Sequence, residues 1–137
     1  MSAEVKFEDN SFQVKKELQN ACVSWLHEAG GEIQSQAMRN TRVDSGQTKG
    51  SWGYTVNASK GEATIGSVLQ NAVWEEFGTG QYALEGNGRK TPWVYKDRKG
   101  KWHKTEGKRG TRALFRAFSQ LKPKLEESLK KYLRGLK

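Results

Sequence analysis

Apolar residues recur at helical spacing near the start of the chain and again at its end. Two short alternating stretches lie between them. Val14, Leu18, Ala21, Trp25, Ala29, Ile33 and Ala37 step by three and four through residues 11–39, with Cys22, Leu26 and Met38 beside them. That spacing predicts an amphipathic helix, because residues three and four apart share one face. Asp9, Asn10 and Ser11 offer N-cap oxygens just ahead of it. Gly30 and Gly31 fall inside the stripe. Each weakens a helix by about 1 kcal/mol relative to alanine, so a kink or a close packing contact is expected there. Residues 41–50 are polar, with turn chemistry at Asp44, Ser45 and Gly46. The period then changes. Trp52, Tyr54 and Val56 alternate with small or polar residues, Ala63, Ile65 and Ser67 alternate on the return, and residues 57–61 make the turn.

A short helix is predicted over residues 71–77, ended by Gly78 in the left-handed conformation. Residues 80–110 are rich in Gly and Lys. Within them, aromatic-containing runs flank Asp97-Arg98-Lys99-Gly100, which reads as an inserted hairpin at about residues 89–106. Leu114, Phe118, Leu121, Leu125, Leu129, Tyr132 and Leu136 restore helical spacing. Pro123 either kinks that helix or marks the meeting of two. The expected fold is α+β and spans residues 1–137 as a single domain. A small antiparallel sheet packs against a long N-terminal helix and a C-terminal helix, with the aromatic hairpin inserted.

Composition narrows the function. A chain of 137 residues suits one domain, and although only 34% is apolar, five Trp, five Phe and four Tyr enlarge what each core position can bury. Cys22 is the sole cysteine, so no intrachain disulfide forms and a reducing compartment is expected. The opening MSAEVKFEDN lacks the apolar region of a signal peptide, and no apolar run approaches the ~20 residues of a membrane span. The net charge of +9 divides unevenly: residues 1–88 carry 7 Lys/Arg and 11 Asp/Glu, and residues 89–137 carry 17 and 4, giving −4 and +13. Such a division suits a basic face for phosphate or an acidic partner. It also suits a ring in which the acidic part of one copy meets the basic part of the next.

Reactive chemistry is poorly represented. Cys22, His27 and His103 are too few for a four-ligand zinc site without several carboxylates. The glycines of FGTG and EGNGRK match neither phosphate-loop nor dinucleotide spacing. Glu75 and Glu76 adjoin in the stretch WEEFGTG, but helical neighbours point about 100° apart and do not form a facing acid/base pair. No catalytic residue, metal or cofactor is assigned. Trp74 and Phe77, three apart, read as anchors of the short helix, which leaves Glu75 and Glu76 for solvent or a basic neighbour. In the hairpin, Trp93, Tyr95 and Trp102 are placed to stack on bases while Arg89, Lys90, Lys96 and Lys104 neutralise phosphates. The other reading is that the aromatics pair across strands over the core and the lysines form a solvated edge. The basic, amphipathic last helix suits a membrane surface or a partner, but such a stripe more often faces a core.

The ordered set of motifs resembles the tail-component or neck proteins of long-tailed phages, typified by gene product ten of phage HK ninety-seven. A "VDTG.L..S" stretch of that family is matched by Val43-Asp44-Ser45-Gly46-Gln47-Thr48-Lys49-Gly50-Ser51, with Thr48 in place of an apolar residue. An "A.Y.EFGT" stretch is matched by Asn71-Ala72-Val73-Trp74-Glu75-Glu76-Phe77-Gly78-Thr79-Gly80, with Trp74 where tyrosine or another bulky residue is more usual. The "P-F-L-x-P-A" opening of the last helix is met by Ala113-Leu114-Phe115-Arg116-Ala117-Phe118, without either proline. The resemblance covers about residues 11–135. It implies a non-enzymatic virion protein of the neck or tail, assembled in the bacterial host cytoplasm. It further implies a homo-oligomeric ring, hexameric in the particle, that touches head-connector and tail-tube or tail-terminator proteins and has genomic DNA as a further contact. On that footing Trp74, Glu75, Glu76, Phe77, Gly78, Thr79 and Gly80 are expected at an interface. Trp93, Tyr95, Arg98, Lys99, Lys101 and Trp102 join them, with Glu75 or Glu76 meeting the basic hairpin of an adjacent subunit.

Overall fold

Helical spacing at the two ends of the chain becomes two long antiparallel helices. In the computed structural model, which describes residues 5–42 and 47–135, α1 runs Ser11–Asn40 and α4 runs Ala113–Arg134. The turn chemistry expected at Asp44 to Gly46 and the last stripe position, Leu136, lie outside the described residues. The Asp9 carboxylate accepts from the Ser11 N–H at 2.9 Å, as a residue just ahead of a helix should. Register between the helices follows from three contacts. Ser128 Oγ donates to Glu28 at 2.6 Å, Lys124 pairs with Glu32 at 3.3 Å, and Asn40 Nδ2 donates to the Ala113 carbonyl at 3.1 Å. The start of α1 therefore runs out past the end of α4. Pro123 sits within α4, which continues through it as one helix.

Between the helices lie a helical turn α2 (Gln47–Gly50), strands β1 (Gly53–Asn57) and β2 (Glu62–Gly66), and α3 (Gln70–Phe77). Part of the stretch read from sequence as a polar loop is thus helical, and its Thr48 is buried. Strands β1 and β2 pair antiparallel with Tyr54 opposite Ile65 and Val56 opposite Ala63, the register that the alternation predicts. They pack on α1, where Gly30 admits the Tyr54 ring: a Cβ there would stand 2.6 Å from Tyr54 Cδ2. Of the two sequence alternatives for this glycine, close packing is present. Strands β3 (Trp93–Lys96) and β4 (Trp102–Thr105) form a separate two-stranded sheet, the inserted hairpin.

The core is built mostly of small residues. Ala29, Ala37, Ala72, Ala113 and Ala117 are buried with Ile33, Trp52 and Leu125. Alanines let α1 and α4 approach closely but contribute little burial each. Trp52 donates its indole N–H to Thr41 Oγ1 at 2.8 Å, and Trp25 donates to the Leu125 carbonyl at 3.1 Å. Both indoles thus keep a partner out of water. The stripes are correct in phase but only half covered. Val14 and Leu18 on α1 and Phe118 on α4 are exposed, while Leu114, Leu121 and Leu129 are half-buried.

Candidate assembly surface

The stretch WEEFGTG forms α3 and the loop after it, and its two carboxylates reach in different directions. Glu76 is 7% exposed. Its Oε2 accepts from the Leu114 N–H and its Oε1 from the Phe115 N–H, both at 2.9 Å. These are orphan donors of the first turn of α4, and a carboxylate placed there also meets the positive end of the helix dipole. The residue before α4, Arg112, is left-handed (φ 55, ψ 39) and makes no side-chain cap. Glu76 caps α4 in its place, from another helix.

Glu75 gathers a different set. Lys108 Nζ lies 2.9 Å from its Oε1, Thr111 Oγ1 donates to its Oε2 at 2.7 Å, and Arg42 Nε stands 3.6 Å away. Arg42 also donates to Thr111 Oγ1 and to the Arg109 carbonyl, tying the end of α1 to the segment that leads into α4. Burial on its own pushes the Glu75 carboxyl up. The Thr111 and Lys108 hydrogen bonds and the charges of Lys108 and Arg42 together outweigh it, so the group lies below its ordinary value.

Three expectations are corrected here. Glu75 and Glu76 are not left to solvent, because the chain returns alongside α3 over residues 108–115 and binds both: Glu75 meets the basic Lys108, with Arg42 beside it, and Glu76 takes the α4 backbone. Trp74 and Phe77 do not anchor α3: they are 50% and 39% exposed, and the buried positions of the helix are Ala72 and Glu76. Gly78 ends α3 at positive φ but with an extended ψ (81, 174), so the left-handed cap expected there is absent. The loop after it is where two segments of the chain cross. Thr79 N–H donates to the Lys108 carbonyl at 2.8 Å and Gln81 N–H to the Glu106 carbonyl at 3.2 Å. A Cβ on Gly80 would collide with the Glu106 backbone. The glycines thus close the base of the insertion.

The structure brings Trp74, Thr79 and Gly80 together with Arg89, Trp93 and Tyr95, around an open cleft of ≈ 640 Å³ between α3 and the hairpin. Tyr95 stacks on His103 across the strands, with ring centroids 5.3 Å apart. His103 Nε2 lies 2.7 Å from Asp97, whose carboxylate also accepts from the Lys99 and Lys101 N–H groups and closes the turn. The hydrogen bond from His103, then those from the backbone, hold the Asp97 carboxyl below its ordinary value. Val94, Lys96, Trp102 and Lys104 occupy the opposite face, where Trp102 is 65% exposed and Lys96 Nζ lies 5.9 Å from its ring. The hairpin aromatics are therefore divided between two faces. Arg98, at the turn, donates to Gln47 at 3.2 Å, and Lys90 and Lys99 are exposed.

A second surface escapes sequence reasoning. Val73, Phe77, Phe115 and Phe118 are 45%, 39%, 54% and 49% exposed and line one groove of ≈ 350 Å³ between α3 and the start of α4. Phe115 lies beside the apolar stripe, next to Leu114, and positions in phase with it, Thr111, Ser119 and Lys122, are polar. Val5, Phe7 and Phe12, ahead of and at the start of α1, are exposed as well. Among the described residues no group of His, Cys, Asp and Glu could hold a metal ion, and no helix is long and apolar enough to cross a membrane.

A comparison with curated proteins and one with solved structures each give no significant match. The family model described as "Bacteriophage HK97-gp10, putative tail-component" matches residues 6–78, from just ahead of α1 to the glycine that ends α3. That match spans more than half of the 137 residues, and the chain belongs to the HK97 gp10-like family of phage tail components.

Proposed function

We propose that the chain is a structural subunit that forms a homo-oligomeric ring, hexameric in the particle, at the head–tail junction or tail end of a long-tailed phage or prophage. In this reading it binds head-connector and tail-tube or tail-terminator proteins and performs no catalysis. One observation carries it. The chain exposes 10239 Å², whereas a compact monomer of its 15.5 kDa mass exposes roughly 7,200 Å². The surplus, on the order of 3,000 Å², exceeds what two standard interfaces cover on one subunit, at about 800 Å² each. It includes large apolar side chains on α1, α3, α4 and the hairpin. Surfaces of that kind mark association sites. The residues of WEEFGTG and of the hairpin contribute through Trp74, Phe77, Trp93, Tyr95 and Trp102. Glu75 and Glu76 act within the subunit by holding the start of α4. Light scattering of the purified chain and imaging of assembled tails test the reading. It expects closed rings, and one isolated copy per tail would refute it.

A second reading has its own support in the outer face of the hairpin. Residues 89–106 hold 7 Lys/Arg and 2 Asp/Glu, and Lys96, Trp102 and Lys104 share that outer face. Contact with DNA passing through the ring suits such a face. Submicromolar binding to random duplex that falls steeply with salt would favour it.

A further inference from the structure

The exposed apolar segment ahead of α1 and the groove between α3 and α4 lie at opposite ends of the molecule. Asn40 Nδ2 donates to Ala113 O and to Gln120 Oε1, so the start of α4 sits beside the last turn of α1. At 1.5 Å per residue, α1 carries Ser11 roughly 40 Å from that level. Residues 5–10, fully extended, reach back at most ~20 Å. The segment cannot fill the groove of its own chain. Val5, Phe7 and Phe12 are 93%, 89% and 80% exposed.

The groove and the segment match in chemistry. Its floor is apolar, formed by Val73, Phe77, Phe115 and Phe118. Arg112 stands at its edge, with its guanidinium 4.4 Å from the Phe115 ring. Arg112 Nε has no hydrogen-bond acceptor, and Glu76 Oε1 lies 3.7 Å from it. Glu8, between Phe7 and Phe12, is exposed and has no ion pair among the described residues.

We propose that residues 5–12 of one copy dock in the α3–α4 groove of a second copy, with Phe7 and Phe12 on its aromatic floor and Glu8 toward Arg112. This deepens the ring reading and rests on it. Donor and acceptor surfaces differ, so every copy offers one of each. The contact is heterologous and repeats head to tail, and in the ring reading the rotation between successive copies closes that repeat.

Cysteine pairing tests the contact in a Cys22→Ala background, using Phe7→Cys and Phe115→Cys. Both replaced side chains are exposed, and circular dichroism checks that each variant folds. Under mild oxidation of assembled material, a chain with both cysteines is expected to give a ladder of oligomers. A mixture of the two single variants is expected to give dimers of one copy of each, and neither single variant alone links. Homodimers from Phe115→Cys alone would overturn the proposal by showing groove meeting groove. Absence of the ladder, in material that light scattering shows to be oligomeric, would overturn it and leave the ring reading standing. A chain that stays monomeric in solution and enters tails as a single copy would overturn both.

Discussion

Removing the Glu76 carboxylate is expected to loosen α4 at its first turn. In the folded chain that carboxylate is 7% exposed and accepts two backbone N–H groups at 2.9 Å. Loss of a side-chain cap costs about 0.5–2 kcal/mol, and hydrogen bonds to charged groups contribute ~1.5–3 kcal/mol each. Glu76→Ala leaves both N–H groups without their acceptor and Arg112 without its ion-pair partner, for a loss of about 3 kcal/mol. Glu76→Gln keeps one acceptor oxygen but turns an amide donor toward the other N–H, for a loss of about 1.5 kcal/mol. Urea unfolding followed by tryptophan fluorescence reads both. With a slope of ~2 kcal/mol/M the midpoint falls by about 1.5 M for alanine and less than 1 M for glutamine. Repeating the titration at two protein concentrations separates folding from assembly. An alanine variant within about 0.3 M of the parent, a difference under ~0.6 kcal/mol at that slope, would refute the capping role.

Neighbouring glycines on α1 are expected to respond in opposite directions. Gly30→Ala drives a Cβ to 2.6 Å from the Tyr54 ring and destabilises by about 1–3 kcal/mol. Gly31→Ala meets nothing nearer than 3.8 Å and stabilises by up to about 1 kcal/mol in the same urea assay, through helix propensity. Glu75 sets an acid limit. Its folded value is depressed below 4.5, so its stabilisation is present above that ordinary value and is lost as pH falls through the folded one. Urea midpoints at pH 7, 5 and 3 are therefore expected to fall less steeply for Glu75→Gln than for the parent, and parallel profiles would contradict the assignment. Trp102→Ala, at a 65% exposed position, leaves stability within about 0.5 kcal/mol. If the outer face of the hairpin contacts nucleic acid, the same variant weakens duplex binding in a salt-titrated anisotropy assay.

Much of this fold is legible in periodicity. The helical stripes, the register of Tyr54 with Ile65 and the turn at Asp97 follow from spacing and local chemistry, which act over a few residues. What covers a stripe is not local. Phe118 keeps helical phase with Leu114 and Leu125, yet it lies half in solvent on the groove that α3 leaves open. The role of Glu76 was hidden for the same reason, since the N–H groups it accepts belong to residues 38 and 39 positions away. Its sequence neighbour Glu75 looked equally free until residues 108–111 returned beside it. The glycines of FGTG match no phosphate loop in sequence, and their role, a crossing of two segments of the chain at Gly80 and Glu106, needed the fold.

The central claim is that the surface this small core leaves open is covered by further copies. An electron cryomicroscopy reconstruction of the intact tail, with this chain placed in the density, tests it most directly. The account expects a closed ring in which Val73, Phe77, Phe115 and Phe118 of each copy lie against its neighbour. A particle in which that groove faces solvent, or in which a single copy sits alone, would contradict it.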